Sequence, residues 1–290
     1  MRRRYLGWFG GVVVVLLTSG GLCPSIAPLE GLPSAPHRMG ALRSALWTSP
    51  QAAVAPDMTH PPRIRVGPAT SQNWSGYAVT GPTGSVSAVT GSWVVPVVTC
   101  AAGETSYAAF WIGIDGDASR TVEQIGTDAD CQGGVPTYYA WFEFFPFLPR
   151  RLTTVPVAPG DVIAAEVSYE ASTHTFTLAL INVTQQVPFA VARPFPARRT
   201  SAEWIAEAPA SGGGTLPLAN FGAVAYGVDL TGIGATNTAT INGTTGPIAS
   251  FGAAVQPITM VSPSTAVKAQ PSGLSADGTS FAITWVSSGP

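Results

Sequence analysis

The chain has 290 residues, 46% hydrophobic and only 10% charged, with a formal net charge of −2. That length allows one large domain or two small ones with a sizeable core. The charged fraction is well below the roughly 25% of an ordinary globular protein. No basic excess supports a nucleic-acid partner.

In chain order, Arg2, Arg3 and Arg4 precede an apolar run from Tyr5 to about Leu22. This is the pattern of a secretory signal peptide, assigned to residues 1–27, with an uncleaved anchor as the alternative. It implies a secreted, extracellular protein with no membrane attachment after cleavage. Residues 28–67 are rich in Pro, Ala and Ser, lack periodicity, and read as a propeptide or linker. They carry Arg38, Arg43, Arg63 and Arg65 against Glu30 and Asp57, a net of +2. From Pro68 onward seven basic residues face fourteen acidic ones, a net of −7. The basic segment is therefore expected to shield an acidic cleft at neutral pH and to be released when acid neutralises the carboxylates. A passive tether is the alternative.

From Ser71 the pattern changes to short β-type runs punctuated by Gly, Pro, Asn and Asp, among them "GYAVTG", "VSAVTGSWVVP", "TVEQIGTD", "TFTLALINVT" and "SFAITWV". No segment shows a capped stripe of period 3.6, although "VIAAEV" also fits a short helix. Regular strand spacing over residues 68–290 argues for a single all-β sandwich or barrel. "ASGGGTLP" at 210–217 reads as a flexible loop.

Beyond the leader two cysteines remain, Cys100 and Cys131, and in an exported protein an even pair suggests a disulfide. Three histidines exist, His37, His60 and His174. The first two precede the expected domain, and His174 falls at an expected hairpin tip. A Ser–His or Cys–His nucleophile therefore lacks its base, and no H-E-x-x-H or C-x-x-C marks a metal site. Asp-Thr-Gly and Asp-Ser-Gly are absent too. Carboxylates, amides and aromatic rings remain as the chemical groups.

Strand parity sorts them. In "YYAWFEFFPF" (138–147), Tyr139, Trp141, Glu143 and Phe145 share one face, and Tyr138, Ala140, Phe142 and Phe144 the other. Trp111, Gly113 and Asp115 share a face. So do Val122, Gln124, Gly126 and Asp128, and Glu203, Ile205 and Glu207. If these strands are neighbours, their polar faces merge into a groove lined by tryptophans and carboxyls. A solvated outer sheet face fits the same pattern.

Here the sequence resembles a known family, the glutamic peptidases or eqolisins, of the scytalidoglutamic and aspergilloglutamic type. The matching stretches are "SQNWSGYAV" (71–79), "FWIGIDGDASRTVEQIGTD" (110–128), "AWFEFFP" (140–146), "SAEWIAEAP" (201–209) and "TAVKAQPSGLSADGTSFAITWV" (265–286). The resemblance implies a concanavalin-like β-sandwich of two curved antiparallel sheets with the site on a concave face. It implies a catalytic dyad of Gln124 and Glu203. Trp74, Trp111, Asp115, Asp128, Trp141, Glu143 and Glu207 would be supporting or cleft residues. Tyr139 stands where the family pattern implies an acid.

The implied function is a pepstatin-insensitive acid endopeptidase acting on polypeptides through an activated water, as a monomer, with no metal and no organic cofactor. A secreted glycosidase with paired carboxylates and a non-catalytic carbohydrate- or peptide-binding sandwich are the competing readings. Asn73, Asn182 and Asn242 lie in N-x-S/T sequons.

Overall fold

Alternation of apolar and polar side chains puts one face of each strand against a partner layer, so strands of this pattern are stable only when stacked. The computed structural model describes residues 52–54, 58–212 and 214–289. Its strands are β1 (Ala52–Val54), β2 (Arg65–Gly67), β3 (Thr70–Ser71), β4 (Trp74–Thr80), β5 (Val86–Val94), β6 (Ala109–Ile114) and β7 (Val122–Gln132). There follow β8 (Val135–Phe145), β9 (Arg150–Leu152), β10 (Val162–Glu170), β11 (Thr175–Asn182), β12 (Val187–Pro194), β13 (Ser201–Glu207), β14 (Ala210–Ser211) and β15 (Gly214–Thr215). The remainder are β16 (Ala223–Tyr226), β17 (Thr238–Ile241), β18 (Thr244–Pro247), β19 (Val255–Val261), β20 (Val267–Pro271) and β21 (Phe281–Trp285).

One sheet runs β1–β9–β8–β7–β6–β13–β4–β19, every pair antiparallel. The other starts β12–β11–β10–β5 and continues from β5 through β16, β21 and β20 to β19. β19 belongs to both: Val255–Ile258 pairs with β4, and Met260 and Val261 pair with β20. The sandwich expected from the sequence is the observed architecture. "VIAAEV" is strand β10, flanked on both sides, and not a helix. The 210–217 loop contains the small hairpin β14–β15.

The core between the sheets takes Phe110, Ile112, Ile114, Phe142, Phe144, Ala202 and Trp204 from the first sheet and Val89, Trp93, Ile163, Phe176, Leu178 and Ile283 from the second. The opposite face of the first sheet carries a second apolar cluster with Trp74, Trp111, Tyr139, Trp141 and Ile205. Both faces of this sheet are thus covered, so β6 and β13 are buried at every position.

Cys100 and Cys131 are joined, as expected, with Cα atoms 5.5 Å apart. The bond ties the loop before β6 to β7. Replacing both by Ala is expected to cost about 3–4 kcal/mol, the chain-entropy value for a loop of this length. Denaturant unfolding of the oxidised protein and the double variant measures it, and equal midpoints would count against the expectation.

Candidate active site

Residues directly opposite each other in an antiparallel ladder point to the same face. The register therefore lays out the outer face of the first sheet in rows. One row reads Glu143, Gln124, Gly113, Glu203, Ala78, Gln256, crossing β8, β7, β6, β13, β4 and β19. The next reads Trp141, Gly126, Trp111, Ile205, Gly76, Ile258. A third holds Tyr139, Asp128, Ala109, Glu207 and Trp74. The separate motifs of the sequence thus converge on one surface.

Gln124 and Glu203 lie two strands apart, roughly 10 Å between backbones, with Gly113 between them. A Cβ on Gly113 would come 3.1 Å from the Gln124 Cβ and 3.0 Å from the Trp111 ring. The missing side chain lets the Trp111 ring and the Gln124 side chain close in over the backbone between amide and carboxyl.

Each supporting residue has an identifiable task. Glu143 Oε2 accepts from Gln124 Nε2 at 2.7 Å and so orients the amide. Burial holds the Glu143 carboxyl above its ordinary range. Glu207 accepts from Trp111 Nε1 at 2.8 Å and from Asn73 Nδ2 at 3.2 Å. Trp111 meets Trp74 edge to face at 4.9 Å. Asp128 accepts from Trp141 Nε1 at 2.6 Å and from the Tyr139 hydroxyl at 2.7 Å. Asp115, with φ 71°, lies just beyond the end of β6. Its carboxylate accepts from the backbone N–H groups of Arg199 and Thr200 at 2.6 and 2.8 Å, bracing the approach to β13.

Glu203 is fully buried. Burial raises its carboxyl well above the ordinary range; repulsion from Asp117 and Asp115 adds to this and the Ser201 hydroxyl opposes it. Glu207 is raised well above its range by the same desolvation.

The segment preceding the expected domain covers this surface. His60 is 1% exposed, and its ring stacks on Trp141 with centroids 3.7 Å apart and planes 2° from parallel. Its ring nitrogens lie 3.6 Å from Asp128 Oδ1 and 3.4 Å from Glu143 Oε2. Its backbone N–H donates to Glu143 Oε2 at 3.2 Å, and its carbonyl accepts from Gln124 Nε2 at 2.7 Å. The Pro61 carbonyl accepts from Trp74 Nε1 and Asn73 Nδ2, both at 3.2 Å. Asp117 binds Arg63 Nη1 at 2.7 Å and also pairs with Arg65. Thr59 forms a backbone bridge with Ala210.

Burial alone would lower the His60 pKa, but attraction to Asp128 and Glu143 outweighs it, and the imidazole is raised from 6.5 to about 10. A raised pKa means that docking gains from His60 protonation fully below pH 6.5 and loses that gain as pH rises through about 10. In an NMR titration the His60 ring should still be imidazolium at pH 8. A midpoint near 6.5 would show that it does not occupy this pocket.

The register puts Trp111, Gln124, Asp128, Trp141, Glu143, Glu203 and Glu207, grouped by strand parity within their own segments, on one surface. Parity missed five residues. His60 and Asp117 act through the segment. Asn73 sits inside a quoted motif, yet its amide holds backbone carbonyls and is fully buried. Asp128 and Asp130 share the Tyr139 hydroxyl, which lies 2.7 Å from Asp128 Oδ2 and 3.1 Å from Asp130 Oδ2. Burial and the charge of Asp128 keep Asp130 protonated well above its usual range. The tyrosine standing in for an acid is thus backed by an acid one step behind. His60 precedes the expected domain, and its imidazole in "THPPR" has no local partner in the sequence. Of the sequons, Asn73 and Asn182 are fully buried and only Asn242 is exposed.

Among the described residues no group of His, Cys, Asp and Glu forms a metal cluster, and no helix is long and apolar enough to cross a membrane.

Comparison with known proteins gives the relationship. Aspergillopepsin-2 of Aspergillus niger is 28% identical over 178 residues, covering 54% of this chain and 62% of that protein. Scytalidopepsin B of Scytalidium lignicola is 28% identical over 139 residues, covering 47% and 51%. The chain thus spans between half and two thirds of the curated relatives it matches. The crystal structure of scytalido-glutamic peptidase with a transition-state analogue inhibitor superposes with a TM-score of 0.59 at 23% identity, over 74% of this chain and 98% of that one. Residues 72–273, most of the described sandwich, match the model of the Peptidase A4 family, and the chain belongs to that family.

Proposed function

We propose that the protein is a secreted endopeptidase that cleaves polypeptides with Gln124 and Glu203 as its catalytic pair. The observation that carries this reading is the hydrogen bond from Gln124 Nε2 to a backbone carbonyl lying across the cleft, in the row that also holds Glu203. A carbonyl held by an amide donor is polarised toward attack. As it becomes tetrahedral, the same N–H stabilises the developing oxyanion. Glu203, once ionised, removes a proton from the attacking water. The water adds to the carbonyl carbon, the C–N bond breaks, and Glu203 returns the proton to the departing amine. Glu143 keeps the Gln124 amide turned the right way, and the tryptophans exclude bulk water.

Residues 28–67 act in this reading as a propeptide. The seated part, 58–67, occupies the Gln124 amide, so no other peptide reaches the pair while the segment stays. His60 cannot be the acid trigger, because its contribution is complete below pH 6.5. Release in acid falls instead to Glu143, whose carboxyl burial holds above its ordinary range and whose protonation removes its pairing with His60. Arg38 and Arg43 lie outside the described residues.

The test is digestion of a denatured protein at pH 3–4 after acid pre-incubation, with and without pepstatin. Fragments in equal yield in both are expected. An intact substrate, or complete pepstatin inhibition, would refute the assignment.

A further inference from the structure

The segment does more than cover the cleft, because its main chain engages the groups that a substrate would need. Thr59 pairs backbone to backbone with Ala210, its N–H donating at 2.8 Å. The His60 carbonyl sits on the Gln124 amide. The next two carbonyls, of Pro61 and Pro62, accept from Asn73. The Arg63 N–H donates to Gly116 at 3.0 Å and the Ile64 N–H to Asn73 Oδ1 at 2.8 Å. Ordered backbone pairing with side chains seated in pockets is how an extended peptide is bound for recognition. The Met58 and His60 side chains are 4% and 1% exposed, so both fill pockets.

We propose that residues 58–65 are a substrate built into the chain, with the His60–Pro61 bond in the register of the bond to be cut, and that it survives because residue 61 is proline. It follows that the pocket of Trp141, Asp128 and Glu143 receives the side chain immediately before the cleaved bond and favours a cationic ring there. This rests on the Gln124/Glu203 reading.

In an ordinary peptide, water adds to the carbonyl carbon and the C–N bond then breaks. The nitrogen takes the proton from Glu203 and leaves as an amine, with the carboxyl group on residue 60. At Pro61 the nitrogen has no N–H, and its ring locks φ near −65°. The Cδ also confines residue 60 to extended conformations. The nitrogen therefore cannot turn freely to accept the proton, while the carbonyl still binds the amide donor. Pro62 repeats the restriction one residue on. Because neither proline has an N–H, positions 61 and 62 bring no backbone donor that would need a partner.

The test uses the full chain in three forms: the parent, Pro61→Ala/Pro62→Ala, and that double variant with Glu203→Gln added. Each is incubated at pH 4 and analysed by intact mass and N-terminal sequencing. The double variant should cut itself between positions 60 and 61. The parent should do so at least ~100-fold more slowly, a barrier difference of about 2.7 kcal/mol. The form carrying Glu203→Gln should remain whole. A second arm avoids any folding defect in the variants. Acid-treated parent is given two synthetic peptides, Asp-Met-Thr-His-Pro-Pro-Arg-Ile and the same sequence with Ala for both Pro. Cleavage after His in the alanine peptide, with inhibition by the proline peptide, is expected. Digestion of denatured protein without cleavage after His in either arm would overturn the inference and leave the proposed function standing. Equal cleavage of the two peptides after His would also overturn it. No hydrolysis of any protein or peptide would overturn the proposed function and the inference with it.

Discussion

Replacing Glu203 by Gln is expected to reduce peptide hydrolysis by roughly 10²–10⁴-fold, the range for a lost general base, and to stabilise the folded protein near neutral pH. An amide fills the same buried space but cannot take the proton of the attacking water. The stability effect follows from linkage. Burial raises the folded-state pKa of Glu203 well above 4.5. A carboxyl of this kind favours the fold when protonated, and that support fades as pH climbs toward the raised value. The amide has no proton to lose. Thermal unfolding at pH 4 should therefore find the two proteins close together, and at pH 7 the variant should melt higher. A variant with near-normal turnover would remove Glu203 from the chemistry. One that melts lower at pH 7 would mean that the carboxylate is satisfied by partners.

Gln124 carries the second large effect. Its Nε2 donates to Glu143 and to the His60 carbonyl, both at 2.7 Å. Gln124→Ala should lower kcat by about 10²–10³, or roughly 3–4 kcal/mol, as for other single oxyanion donors. Gln124→Glu should be nearly as damaging, because it sets a second carboxylate beside Glu143 and repels the developing negative charge. If both variants stayed within about tenfold of the parent, some other donor would hold the oxyanion.

Much of this site was legible in the sequence because strand parity is a strict rule. Once "YYAWFEFFPF" is a strand, Glu143 must share its face with Trp141 and Tyr139, and the structure places all three on the cleft side. Parity also separated Gln124 from the core residue Ile125 and Glu203 from Trp204. At Asp115 a positive φ follows the end of β6, and the carboxylate accepts from the backbone N–H groups of Arg199 and Thr200 while its charge still acts on Glu203. Parity gives faces, but not which strands are neighbours. The merging of four motifs into one surface needed the family resemblance and is now given by the register.

Other features had no local signal. Val187–Pro194 was not among the recognised runs, since its exposed, proline-flanked pattern is that of an edge strand beside β11 alone. The hairpin across Asn242 and Gly243 carries the N-G turn signature, but its strands are only four residues each. His60 lacks a local signal for a different reason. Its position depends on charge pairing with Asp128 and Glu143, more than sixty residues away in sequence, and no local pattern in a proline-rich segment reports that.

The central claim is that Gln124 and Glu203 face one peptide carbonyl from two sides. A crystal structure of the Glu203→Gln variant, acid-treated to free the cleft and bound to an uncut peptide, tests it most directly. The account predicts the carbonyl oxygen of the bond to be cut within about 3 Å of Gln124 Nε2, a normal hydrogen-bond distance. It also predicts the carboxamide at position 203 on the opposite side of that carbon. A peptide whose cut bond lies instead beside Glu207 or Asp128, out of reach of Gln124, would contradict it.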